Sequence, residues 1–117
     1  MSLNLEKYQT LATLLEQIRS DTCVTPVNAP ELQKGVALLQ RVFRQEIIPL
    51  PDGGYRVQSY QTEISKQLRL LEIDVLFLQG ARQASTTNER LKLIRDRLQT
   101  LMQYCEAIVQ PPPEAQT

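Results

Sequence analysis

The sequence predicts an all-α fold, an antiparallel up-down-up-down four-helix bundle with helices three and four longest. Three observations lead there. Apolar residues recur at spacings of three and four through four separate segments, the pattern of helices that each bury one face. The period-two alternation of a half-buried strand is absent. The connectors are short, which favours antiparallel neighbours.

The first segment reads as a helix from about Asn4 to Ser20, with Leu5, Tyr8, Leu11, Leu15 and Ile18 on one side. Asn4 is placed to cap it, and Glu6 suits the positive end of the helix dipole. The stretch from Asp21 to Val27 ends it, because β-branched residues and Pro26 make poor helix. Asn28-Ala29-Pro30-Glu31 then opens the second helix as a capping box, with Pro30 in the first turn, where its missing N–H costs nothing. Leu32, Val36, Leu39 and Phe43 form its stripe, with Gly35 a weak point inside it. Pro49 requires a stop, since the residue before a proline is pushed out of the helical region.

Helix three is expected from about Tyr55 to Arg82, striped by Val57, Tyr60, Ile64, Leu68, Leu71, Val75 and Leu78. Thr86 and Glu89 form a second capping-box pattern and are expected to open helix four. Its stripe is Leu91, Ile94, Leu98, Leu101, Cys105 and Ile108, and Pro111-Pro112-Pro113 stops it. The expected domain is 1–110, followed by a mobile proline-rich tail, 111–117. The competing architecture is a hairpin of helices three and four that forms a homodimer, with the first two helices alongside.

Composition excludes several functions. A chain of 117 residues with 42% hydrophobic side chains suffices for one packed domain. No apolar run approaches the ~20 residues of a membrane span, and the N-terminal residues lack a signal-peptide pattern, so a cytoplasmic location is expected. Thirteen basic and thirteen acidic residues cancel. No basic stripe stands out, which argues against nucleic acid as a partner. With no histidine, the side chain most used for proton transfer and metal binding is missing. Cys23 and Cys105 are too few for a zinc site, and Cys105 lies on the core stripe. Gly53-Gly54 lacks the lysine and hydroxyl of a phosphate loop. The expectation is a protein that is not an enzyme and holds no cofactor or metal.

Two features depart from a plain bundle. The second half of helix three is apolar almost all round. Leu70, Ile73, Leu76 and Phe77 cannot all enter the core that takes Leu71, Val75 and Leu78. Such surplus marks either a partner-binding face or a central helix covered on several sides. In addition, Gln67 and Asp74 interrupt the apolar arc, and folding helix four back brings Arg95 and Arg97 to the level of Asp74. A buried carboxylate needs a partner, so this is a register-setting ion pair or a polar spot for a partner. Either could instead line a small-ligand cavity. Arg90, Arg95 and Arg97 would serve a DNA-reading helix only poorly, because Glu89 and Asp96 interleave with them.

The run Val57-Gln58-Ser59-Tyr60-Gln61-Thr62-Glu63-Ile64-Ser65-Lys66-Gln67-Leu68-Arg69-Leu70-Leu71 carries a resemblance. So do Asp74-Val75-Leu76-Phe77-Leu78-Gln79, Ala81-Arg82-Gln83 and Arg97-Leu98-Gln99 with Tyr104-Cys105-Glu106-Ala107-Ile108. Together they resemble PatD, a family of small cyanobacterial proteins that control heterocyst frequency, mainly over 57–109. The resemblance implies a cytoplasmic regulator of heterocyst differentiation without catalytic activity. It also implies a link to cell division through FtsZ, whose assembly the family influences. It supplies no binding residues.

Overall fold

A computed structural model describes residues 2–51 and 54–110, apart from the side chains of residues 2 and 3. The expected tail, 111–117, lies outside the described residues. The described residues form an all-helical fold with four α-helices: α1 (Ser2–Asp21), α2 (Ala29–Val42), α3 (Gly54–Gly80) and α4 (Ala84–Val109). At 27 and 26 residues, α3 and α4 are the longest. No strand occurs among the described residues.

The stripes read from the sequence supply most of the core, although Leu5 is exposed and Val57, Tyr60 and Ile108 are only half-buried. Leu11, Leu15, Leu39, Ile64, Leu71, Ile94, Leu98 and Leu101 are all at most 1% exposed. Each such side chain contributes roughly 1.5–3 kcal/mol relative to exposure. Among described residues, α1 packs against α2 and α4, and α3 packs against the same two. Across the diagonal, α1 and α3 meet through side chains, where Gln61 Nε2 donates to Tyr8 Oη at 2.9 Å.

Several boundaries follow the expected chemistry. The Glu31 N–H donates to Asn28 Oδ1 at 3.1 Å, and proline occupies the first turn of α2. Gly35 proves to be a contact point. A Cβ there would lie 3.1 Å from Ile18, so the missing side chain lets α1 and α2 approach. Gly54 enters α3 at φ +85°, a left-handed conformation that glycine adopts without steric cost.

Other boundaries correct the sequence reading. Because α1 begins at Ser2, Asn4 lies inside the helix and does not cap it. Likewise α4 begins at Ala84, with Gln83 at the cap and no side-chain cap bond, so Thr86 is interior. Both helices extend past the cap-like residue because further backbone hydrogen bonds propagate a helix once it is nucleated.

The end of α2 differs most from expectation. From Phe43 to Ile47 the chain widens into a π-helical turn, closed by the Ile48 N–H donating to the Phe43 carbonyl at 3.0 Å. This turn buries both Phe43 and Ile47, at 4% and 0% exposure. Ile48 stays helical, at φ −57° and ψ −41°, although Pro49 follows. The steric bias before proline is thus overridden by burial of Ile47 and by the bond from Ile48.

Candidate interaction surface

The residues that break the apolar stripe of α3 form one polar cluster. Asp74 is 5% exposed. Arg97 on α4 donates from Nε to Asp74 Oδ2, and from Nη1 to Gln67 Oε1 at 3.2 Å. One guanidinium thus satisfies both interruptions of the stripe, and it ties α3 to α4 at a single level. Arg95 belongs elsewhere. Its Nη1 donates to the Thr22 carbonyl at 3.3 Å, just past the C-terminus of α1. A cation there meets the negative end of that helix dipole. Arg90 sits over the Phe77 ring, 4.7 Å from its centroid. All three arginines therefore have partners within the chain.

Turning outward from Asp74, α3 shows the opposite chemistry. Ile73, Leu76 and Phe77 are 40%, 51% and 54% exposed, while Leu70 is half-buried. The spacing of three and four puts the exposed residues on one face. Leu93 of α4 is also exposed, at 41%, and sequence reading missed it. It lies three residues after Arg90 and four before Arg97, the two residues that reach across to Phe77 and Asp74. The spacing therefore puts Leu93 on the side of α4 that carries Arg90 and Arg97. The spacing of Arg90, Leu93 and Arg97 was the signal that could have revealed it.

The remaining chemistry is quiet. Burial pushes the Cys105 thiol up to about 12, so it stays protonated at neutral pH and behaves as a small apolar side chain. Burial also raises the Tyr8 hydroxyl, partly offset by its bond from Gln61. Cys23 is exposed and free. Among the described residues, no group of His, Cys, Asp or Glu is placed to hold a metal. No described helix is long and apolar enough to cross a membrane. In the α1–α2 connector Val24 is 60% exposed, whereas Val27 packs onto the core and Thr22 is buried.

A groove of about 280 Å3 opens at the opposite end of the helices, lined by Leu5, Tyr8, Val57 and Ile108 among others. It is open and slightly below the ~300 Å3 lower bound usual for small-molecule sites.

The model of the CRR41 C-terminal domain family matches residues 7–106. The chain belongs to the CRR41 C-terminal domain family. The matched span runs from the first turns of α1 to the last turn of α4, so it takes in the polar cluster and the exposed face of α3. No curated protein and no solved structure matches the chain.

Proposed function

We propose that this CRR41 C-terminal domain is a non-catalytic regulatory module that docks another protein on the outward face of α3. One observation carries the reading: Ile73, Leu76 and Phe77 stand in solvent although the interior beside them is already filled from all four helices. Burying one such side chain against a partner contributes roughly 1.5–3 kcal/mol, so three or four can dominate an interface. The support for a non-catalytic role is that the buried titratable groups are occupied: Asp74 by Arg97, Tyr8 by Gln61, and Cys105 by its apolar surroundings.

We further propose that the helices run up-down-up-down as an antiparallel bundle. Side-chain contacts between helices at matching levels support this. Gln33 meets Gln79 and Gln40 meets Glu72 between α2 and α3, while Arg56 meets Ala107 and Asp74 meets Arg97 between α3 and α4. Lys7 meets Glu46 between α1 and the π turn.

The resemblance to PatD makes FtsZ the first partner to test, in the setting of a cytoplasmic cyanobacterial regulator that tunes cell division during heterocyst differentiation. Modulating a polymer requires a surface for each subunit contacted, and bridging two filaments requires two surfaces or a homodimer. Light scattering and sedimentation of FtsZ with the chain near equimolar ratio test the reading. A change in assembly without any hydrolysis by the chain itself is expected. No change at that ratio would overturn a direct action on the polymer. A small-ligand role would use the groove beside Tyr8, and a ligand-dependent rise in melting temperature abolished by Val57→Asp would favour it instead.

A further inference from the structure

Charge is balanced overall, but its use is uneven. Lys7, Arg19, Lys34, Lys92 and Arg97 form ion pairs. Arg56 and Arg95 bond backbone carbonyls, and Arg90 covers the Phe77 ring. That leaves Arg41, Arg44, Lys66, Arg69 and Arg82 with no ion pair or hydrogen bond to a described residue. Three of these five meet in one place. Arg44, on the π turn after α2, and Arg69, on α3, line a hollow of about 360 Å3. Lys66 and Arg69 line an adjoining hollow of about 580 Å3, and Ser65 borders both.

We propose that this groove between the end of α2 and the middle of α3 receives an acidic segment of a protein partner. The inference is independent of the apolar face on the α3–α4 seam and of any role for FtsZ.

Unpaired like charges on neighbouring turns repel, and they do nothing for the fold. Lys66 and Arg69, three apart on a helix, have Cβ atoms only ~5–6 Å apart. Arg44 lines the first hollow together with Arg69. The carboxylate that lines the groove, Glu72, already accepts from Gln40 Nε2 at 3.4 Å, and Glu46 is drawn off to Lys7. Glu72 bonds only to a neutral amide and keeps its charge, so the three cations leave the lining with a net positive charge that an anionic partner would offset. The π turn contributes directly. It continues the helical path past Val42, so Arg44 reaches the first hollow, while Ile48 lines the second hollow with 49% exposure.

This mixture selects the class of partner. Three cations would neutralise about three phosphates, well below the roughly six to ten contacts of a typical nucleic-acid footprint. An exposed isoleucine beside the cations suits a peptide that alternates carboxylates with an apolar side chain.

The test is fluorescence anisotropy with a labelled peptide of repeating Glu-Glu-Leu, alongside a Lys-Lys-Leu peptide and an oligo-dT of equal length. The acidic peptide is expected to bind and to weaken with added salt, whereas the basic peptide does not bind. Affinity should fall roughly tenfold in Lys66→Glu/Arg69→Glu and less in Lys66→Gln/Arg69→Gln. Arg82→Glu, remote from the groove, should leave binding unchanged. Absence of acidic-peptide binding, equal binding by the charge-reversed variant with its helical circular dichroism intact, or tighter binding of oligo-dT would each overturn the proposal.

Discussion

On one turn of α3, Asp74 is 5% exposed while its neighbour Ile73 is 40% exposed and Phe77 is 54% exposed. The usual arrangement is inverted, with a carboxylate inside and apolar side chains outside. The two faces are inverted for different reasons. Inside, Asp74 is tolerated because Arg97 meets it and carries Gln67 as well. Outside, the described residues leave Ile73 and Leu76 about half exposed, and Arg90 covers Phe77 only in part. The inner anomaly is solved within the fold, and the outer one is the surface proposed to dock another molecule. That contrast separates a structural polar cluster from a functional surface, although both appear as irregularities of one helix.

The inner face gives the largest expected effect. Asp74→Ala strands the Arg97 guanidinium and should cost about 3 kcal/mol in urea unfolding, the low end for a broken buried pair, because Arg97 keeps a quarter of its side chain in solvent. Asp74→Leu combined with Arg97→Met should recover most of that loss. A double variant as unstable as Asp74→Ala would mean that the pair does more than satisfy itself.

Next comes the close approach that sets the α1–α2 spacing. Gly35→Leu must push Ile18 aside and should destabilise by roughly 1–3 kcal/mol, read as a lower melting temperature. An unchanged melting temperature would show that the two helices can separate freely.

The caps offer a finer comparison. Asn28→Ala removes the bond to the Glu31 N–H and should cost about 1 kcal/mol, whereas Thr86→Ala, inside α4, should stay within about 0.5 kcal/mol. Equal losses by chemical denaturation would return the start of α4 to Thr86.

Much of this arrangement was legible in the residues. Three-four periodicity placed Leu11, Leu39, Leu71 and Leu98 in the core and Asp74 within the apolar arc, while leaving Ile73 either on an exposed face or under a neighbouring helix. Periodicity could not choose between Arg95 and Arg97 as the partner of Asp74. The answer depends on the rotation of α4, which gives Arg97 to α3 and Arg95 to the end of α1. Ile47, four residues after Phe43, continues the three-four spacing and was missed because the stripe was ended at Phe43 ahead of Pro49. Asn4 and Thr86 looked like caps because a cap residue has the same chemistry one turn inside a helix. The Arg44–Lys66–Arg69 groove was invisible to composition, since the sequence balances total charge but does not say which cations the fold leaves unpaired.

The smallest expected change in stability belongs to the outer face, and there the account is tested most directly. Leu76→Glu should leave the urea midpoint within about 0.5 kcal/mol of the parent, as surface substitutions do. In the same preparation, cosedimentation with FtsZ polymers should fall severalfold relative to the unsubstituted chain. If Leu76→Glu keeps both its stability and its full share in the pellet, the outward face of α3 is not the docking surface.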